Sequence, residues 1–164
     1  MQERARLFAL AAHSANGQVR KYSGAPYWVH PYEVAEIVAT VNHTDAMIAA
    51  AYLHDVVEDT CIDIDLIRDE FSDEIGDMVE WLTDISKKED GNRAIRKAID
   101  REHTKNADPN SKTIKLADII SNTISIKKND PDFYKVYSTE MKALLEVLQE
   151  GDPTLFKYAQ ELLK

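Results

Sequence analysis

Apolar residues recur three and four positions apart through most of the chain, which is the spacing of an amphipathic helix, while runs that alternate apolar with polar are scarce. The pattern predicts an all-α protein. A first helix covers about Glu3 to Ala15, and Gly17 to Tyr27 follows as a basic loop with neither helical nor strand periodicity. Pro31 suits the first turn of a helix reaching about Val41, and Asp45 serves as N-cap for one ending near Glu58. Asp65 to Phe71 and Asp73 to Thr83 read as two short amphipathic helices. After a charged stretch from Lys87 to Asn92, a polar helix runs from about Arg93 to His103. Ser111 to Lys128 forms a long apolar helix, and Pro131 to Glu150 and Pro153 to Leu163 close the chain as a pair. No repeat, low-complexity tract or linker divides the 164 residues. The expectation is therefore one domain, 1–164, a helical bundle with no significant β-sheet.

Charge and composition narrow the partners. Twenty Lys plus Arg against 29 Asp plus Glu leave a net charge of −9, which disfavours a broad nucleic-acid or anionic-membrane surface. The longest apolar run, Ala46 to Leu53, is far short of the ~18 residues of a membrane span. Only Leu7 to Ala12 is apolar near the N-terminus, so no secretory signal is legible. A single cysteine, Cys61, excludes an intramolecular disulfide framework and fits a reducing compartment. These features predict a soluble cytoplasmic protein with no nucleic-acid and no membrane partner, and leave an anionic small substrate open. Nothing in the sequence sets the oligomeric state, and a homodimer is one open option.

Two segments carry candidate chemistry. With successive residues 100° apart on a helix, His54, Asp55, Glu58 and Asp59 fall within a sector of roughly 140°, and Ala49, Ala50, Leu53, Val56 and Val57 face the other way. Three carboxylates so close repel one another unless a cation sits among them. One reading is a solvated acidic helix end. The other is a divalent metal, since neutral imidazole with carboxylate oxygen suits Mn, Fe or Zn. In the long Ser111 to Lys128 helix, Asp118, Asn122 and Ser125 form a polar stripe at i, i+4, i+7 among isoleucines and leucines. Burying an unpaired carboxylate is costly, so Asp118 needs a partner: Lys115 one turn away, or a metal shared with His54 and Asp55. His30, just ahead of Pro31, is either a helix-capping or core histidine or a further nitrogen ligand. Arg20 and Lys21 are paired cations in an acidic protein, either an exposed loop or a site for phosphates and a base.

The blocks Gly17-Gln18-Val19-Arg20-Lys21-Tyr22-Ser23-Gly24 through His30-Pro31, then Leu53-His54-Asp55-Val56-Val57-Glu58-Asp59-Thr60, then Lys115-Leu116-Ala117-Asp118 with Asn122, resemble the HD-superfamily hydrolase domain of Rel/SpoT-type alarmone enzymes, above all the small single-domain alarmone hydrolases. The resemblance runs from the first helix to about Asn129. Three separated blocks in the right order weigh far more than a lone His-Asp pair. The resemblance implies that His30, His54, Asp55 and Asp118 are metal ligands, usually for Mn²⁺. It implies that Glu58 and Asp59 act on the attacking water and the leaving group. It further implies that Arg20 and Lys21 meet the nucleotide, that Asn122 contacts the ribose, and that Ser125 lies near the 5′ phosphates. The family removes pyrophosphate from the 3′ position of guanosine tetra- and pentaphosphate.

The sequence also departs from the family pattern. Ala15 stands where many members carry a histidine two residues before the Gly-Gln pair, so His13 is read as a packing histidine without a catalytic role. Tyr22 interrupts the usual Lys-Ser-Gly run, which alters the expected base contact. Two rivals stay open at this level: an HD phosphohydrolase for another nucleotide (a nucleoside monophosphate, a deoxynucleotide or the 2′-phosphate of NADPH) and a non-catalytic nucleotide-binding module.

Overall fold

A computed structural model describes residues 1–164 of the chain, which divides into two compact units, Met1–Thr83 and Asp84–Lys164. The protein is all-α, as the periodicity predicts, and its one isolated β-bridge joins Val19 to Pro26 in the basic loop. No helix is long and apolar enough to cross a membrane.

In the first unit, α1 spans Gln2–Ala15, α2 Val29–Val38, α3 Asp45–Leu53, α4 Val56–Asp59, α5 Ile64–Glu70 and α6 Asp73–Leu82. Helix α3 is the centre: Met47 to Leu53 are all buried, and α1, α2 and α6 pack around it. Its Ala49-Ala50-Ala51 run explains how neighbours can approach from several sides, because three methyl groups keep the helix thin. Thr44, not Asp45, is the N-cap, its hydroxyl accepting from the Met47 amide at 3.2 Å, and Asp45 is the first helical residue. The helix expected to run on to Glu58 stops at Leu53. His54 and Asp55 form a turn with α-region dihedrals before the chain resumes as α4, whose Asp59 amide bonds the Asp55 carbonyl at 2.9 Å.

In the second unit, a 3₁₀ turn at Lys88–Asp90 precedes α7 (Arg93–Lys105), α8 (Pro109–Asn129), α9 (Pro131–Leu145) and α10 (Pro153–Leu162). Three Asp-Pro pairs set the last three helices. Asp108, Asp130 and Asp152 each accept first-turn amides, while Pro109, Pro131 and Pro153 occupy positions whose missing N–H has no helical use. Helix α8 is the core of this unit, buried from Ser111 to Leu116 except for half-buried Lys115, and packed by α9 and α10. Helix α9 ends at Leu145, five residues before the expected Glu150, because the chain turns there to bury Leu148. Gly151 makes that turn possible: a Cβ on it would stand 2.8 Å from Leu116 Cδ1 and 3.1 Å from the Lys112 carbonyl carbon.

Candidate metal centre and its surroundings

The turn between α3 and α4 presents His54 and Asp55 side by side, and the first turn of α2 presents His30. Their ligand atoms, two imidazole nitrogens and a carboxylate oxygen, lie within 4.8 Å of one another. His54 Nε2 is 3.2 Å from Asp55 Oδ1 and His30 Nε2 is 3.6 Å from Asp55 Oδ2. The two rings meet edge to face at 5.2 Å, and each histidine is 1% exposed. His54 Nδ1 lies 2.8 Å from the Ala51 carbonyl oxygen, which can only accept, so Nδ1 carries the proton and the Nε2 lone pair faces the carboxylate. This is the orientation a metal-binding imidazole requires, its other nitrogen held by a backbone carbonyl. At bond lengths near 2.1 Å, adjacent ligands of a first-row ion stand about 3 Å apart, close to the separations here. The donor set therefore fits a divalent ion of the Mn, Fe or Zn type.

Tyr27 completes the arrangement. Its hydroxyl donates to Asp55 Oδ2 at 2.7 Å, and its ring lies 5.9 Å from His30 and 5.0 Å from His13. Asp59, at the end of α4, accepts from Gln18 Nε2 through Oδ2 at 2.9 Å and from Asn16 Nδ2 through its main-chain oxygen at 2.7 Å. Glu58, its neighbour, is exposed. The basic loop is folded back by the Arg20 amide on the Ala25 carbonyl (2.8 Å) and the Tyr27 amide on the Gln18 carbonyl (2.9 Å). It holds the Arg20 guanidinium 6.0 Å from the Tyr27 ring, while Lys21 Nζ lies 4.8 Å over the Tyr22 ring. Tyr22, the residue that interrupts the expected run, is thus a partner of Lys21.

His13 is buried as expected of a packing histidine, but it is also polar in function: Nδ1 lies 3.2 Å from Gln18 Oε1. Burial pushes its pKa down, with the Gln18 contact offsetting part of that shift, so the ring is held neutral. No pattern in the sequence assigns roles to Tyr27, Gln18 and Asn16, since only spatial neighbours far along the chain reveal what they do.

In the second unit, α8 carries Asp118, Asn122 and Ser125. Asp118 is 8% exposed, with Lys115 Nζ 3.2 Å from Oδ2 and Asn122 Nδ2 donating to Oδ1 at 2.6 Å. Lys115 is therefore a partner of this carboxylate. Burial works to raise the pKa of nearby Asp84, but Lys115 and Lys97 together hold it below the usual range. The Tyr137 phenol is pushed up by its burial and by the Asp118 charge.

A family model for the HD domain matches residues 5–148. The chain belongs to that family. Among curated relatives, a probable guanosine-3′,5′-bis(diphosphate) 3′-pyrophosphohydrolase of Synechocystis is 45% identical over 76 residues, 46% of this chain and 10% of that protein. A probable GTP pyrophosphokinase of Mycobacterium leprae is 34% identical over 128 residues, 77% of this chain and 16% of the relative. The chain spans only 10% and 16% of the length of these two relatives. A solved structure of a metazoan ortholog of SpoT, described as hydrolysing ppGpp, matches with a TM-score of 0.86 at 24% identity over 98% of this chain and 92% of that one, which is a likeness of fold. The 1.85 Å crystal structure of lmo0812 from Listeria monocytogenes matches with a TM-score of 0.67 at 25% identity, over 82% of this chain and 96% of that one.

Proposed function

We propose that this protein is a Mn²⁺-dependent hydrolase that removes the 3′-pyrophosphate from guanosine 3′,5′-polyphosphates, giving GDP and pyrophosphate from ppGpp. The observation that carries the proposal is the cluster of buried His30 and His54 with half-buried Asp55, whose ligand atoms lie within 4.8 Å of one another. Membership of the HD family supports the reaction class, the name of the Synechocystis relative supports the substrate, and that of the Mycobacterium leprae relative supports a guanine nucleotide. The reading treats 1–164 as one catalytic domain, on the ground that the family match runs through both compact units. It also carries a cytoplasmic location.

In this proposal His30, His54 and Asp55 hold the metal, with Asp118 as the fourth ligand that the family motif calls for. A divalent ion there supplies Lewis-acid polarisation of the phosphoryl group and lowers the pKa of the attacking water. Glu58, exposed and four residues beyond His54, orients that water and takes its proton. Water adds to the phosphorus as Glu58 takes its proton, the bond to the ribose 3′ oxygen breaks, and that same proton, relayed through Asp59, is delivered to the departing oxygen, which leaves as a hydroxyl. Arg20 and Lys21 offset the polyanion locally in a chain of charge −9, and Asn122 and Ser125 lie along the substrate's sugar and 5′ phosphates.

The test is metal content alongside turnover. His54→Ala, Asp55→Asn and Asp118→Asn should each lose bound Mn²⁺ and ppGpp cleavage together. Full Mn²⁺ occupancy in purified Asp55→Asn and Asp118→Asn proteins would remove the four-ligand assignment.

A further inference from the structure

Asp59 can serve a leaving group only if its carboxylate is held in one orientation at the end of a four-residue helix. The segment that does this is Asn16-Gly17-Gln18. Asn16 Nδ2 donates to the Asp59 main-chain oxygen at 2.7 Å, and Gln18 Nε2 donates to Asp59 Oδ2 at 2.9 Å. Between them Gly17 has φ +62, a left-handed conformation that lets the chain turn sharply enough for both carboxamides to reach the same residue. Gln18 is itself anchored at its backbone, where its carbonyl accepts from the Tyr27 amide at 2.9 Å.

A carboxamide has nearly the same shape at both ends, so something must decide which end meets the carboxylate. Here it is Asp59, whose carboxylate can only accept. Gln18 Oε1 faces His13 Nδ1 at 3.2 Å, and an oxygen there requires that Nδ1 carry the ring proton. His13 is fully buried, which keeps the ring neutral with a single proton to place. If the amide rotated by half a turn, its oxygen would oppose the Asp59 carboxylate and its NH₂ would meet the His13 N–H. The contact with Asp59 would become repulsive, whereas His13, whose Nε2 has no partner, accommodates the NH₂ by carrying its proton there; the acceptor-only carboxylate therefore fixes the amide, the amide fixes the histidine tautomer, and Gln18, anchored at its backbone, holds the carboxylate.

We propose that Gln18 is a positioning residue that holds the Asp59 side chain for its work at the leaving group, with buried His13 receiving the other end of the Gln18 amide. The inference rests on the proposed function for what Asp59 does, but the clamp itself can be read without turnover.

The experiment is a double-mutant cycle of Gln18→Ala and Asp59→Ala in the full chain loaded with Mn²⁺, with Gln18→Met as a variant that keeps the side-chain volume. Gln18→Ala should lower kcat on ppGpp by roughly 10-fold to 100-fold, the scale of a misplaced catalytic group, with KM within about twofold and Mn²⁺ stoichiometry unchanged. In the Asp59→Ala background the same change should lower kcat by no more than about twofold, because the group it positions is gone. Equal losses in both backgrounds, or loss of Mn²⁺ from Gln18→Ala and Gln18→Met, would overturn the proposal. Independently of activity, the Gln18 side-chain amide signals in a ¹H–¹⁵N spectrum, assigned by their loss in Gln18→Ala, should move in both Asp59→Ala and His13→Leu. Signals unmoved in both variants would overturn the clamp. A wild-type protein that shows the clamp but leaves ppGpp intact would instead count against the substrate.

Discussion

Tyr27 holds Asp55 in place: its hydroxyl donates to Oδ2 at 2.7 Å, the same oxygen that faces His30 Nε2 at 3.6 Å. The bond orients a candidate metal ligand from outside the ligand set. Removing it should leave the ligands in place but less well aimed. Tyr27→Phe should therefore bind Mn²⁺ about 10-fold to 100-fold more weakly while remaining folded, as titration calorimetry with the metal-free protein would measure.

Glu58 is assigned to the attacking water and not to the metal. Glu58→Gln should bind Mn²⁺ stoichiometrically and lose turnover by roughly 10² or more, the usual effect of removing a general base. Loss of the metal from this variant, measured by elemental analysis, would move Glu58 into the ligand set.

His13 links burial to pH. Its folded pKa is lowered chiefly by desolvation, so below the unfolded histidine pKa, near 6.5, the unfolded chain binds a proton that the folded chain does not. That contribution to stability is present above pH 6.5 and is lost as the pH falls. Urea unfolding of the metal-free protein between pH 8 and pH 5 should show a steeper fall for the wild type than for His13→Gln. Parallel curves would contradict this account of His13.

Gly151 is required by close packing and not by its dihedrals. A methyl group there would press on Leu116 Cδ1 at 2.8 Å and on the backbone of Lys112 and Thr113 at 3.1 Å and 3.2 Å. Backbone cannot swing aside as a side-chain end can. Gly151→Ala should destabilise the protein by about 1–3 kcal/mol, read from the shift in urea midpoint at constant slope.

The helices were legible because their signals are local: period, caps and Asp-Pro starts lie within a few residues of one another. The local breaks were less so. Thr44 displaced Asp45 as the cap because either side chain could have reached a first-turn amide, and the turn at His54 and Asp55 lies in a run whose apolar spacing is that of a continuous helix. Among site residues, His54 and Asp55 could be read as neighbours from their positions. Tyr27 and Gln18 could not, since their partners Asp55 and Asp59 lie 28 and 41 residues away and no periodicity reports such a pairing. The burial of His13 follows from its place on the first helix, but its contact with Gln18 depends on how the loop after α1 folds back.

The most direct measurement of the proposed activity is product analysis: the Mn²⁺-loaded protein is incubated with ppGpp and the nucleotides and phosphates are resolved by anion exchange. The account predicts GDP and pyrophosphate in equal amounts, abolished by Asp55→Asn. Intact ppGpp at full Mn²⁺ occupancy, with a deoxynucleoside monophosphate cleaved under the same conditions, would contradict it.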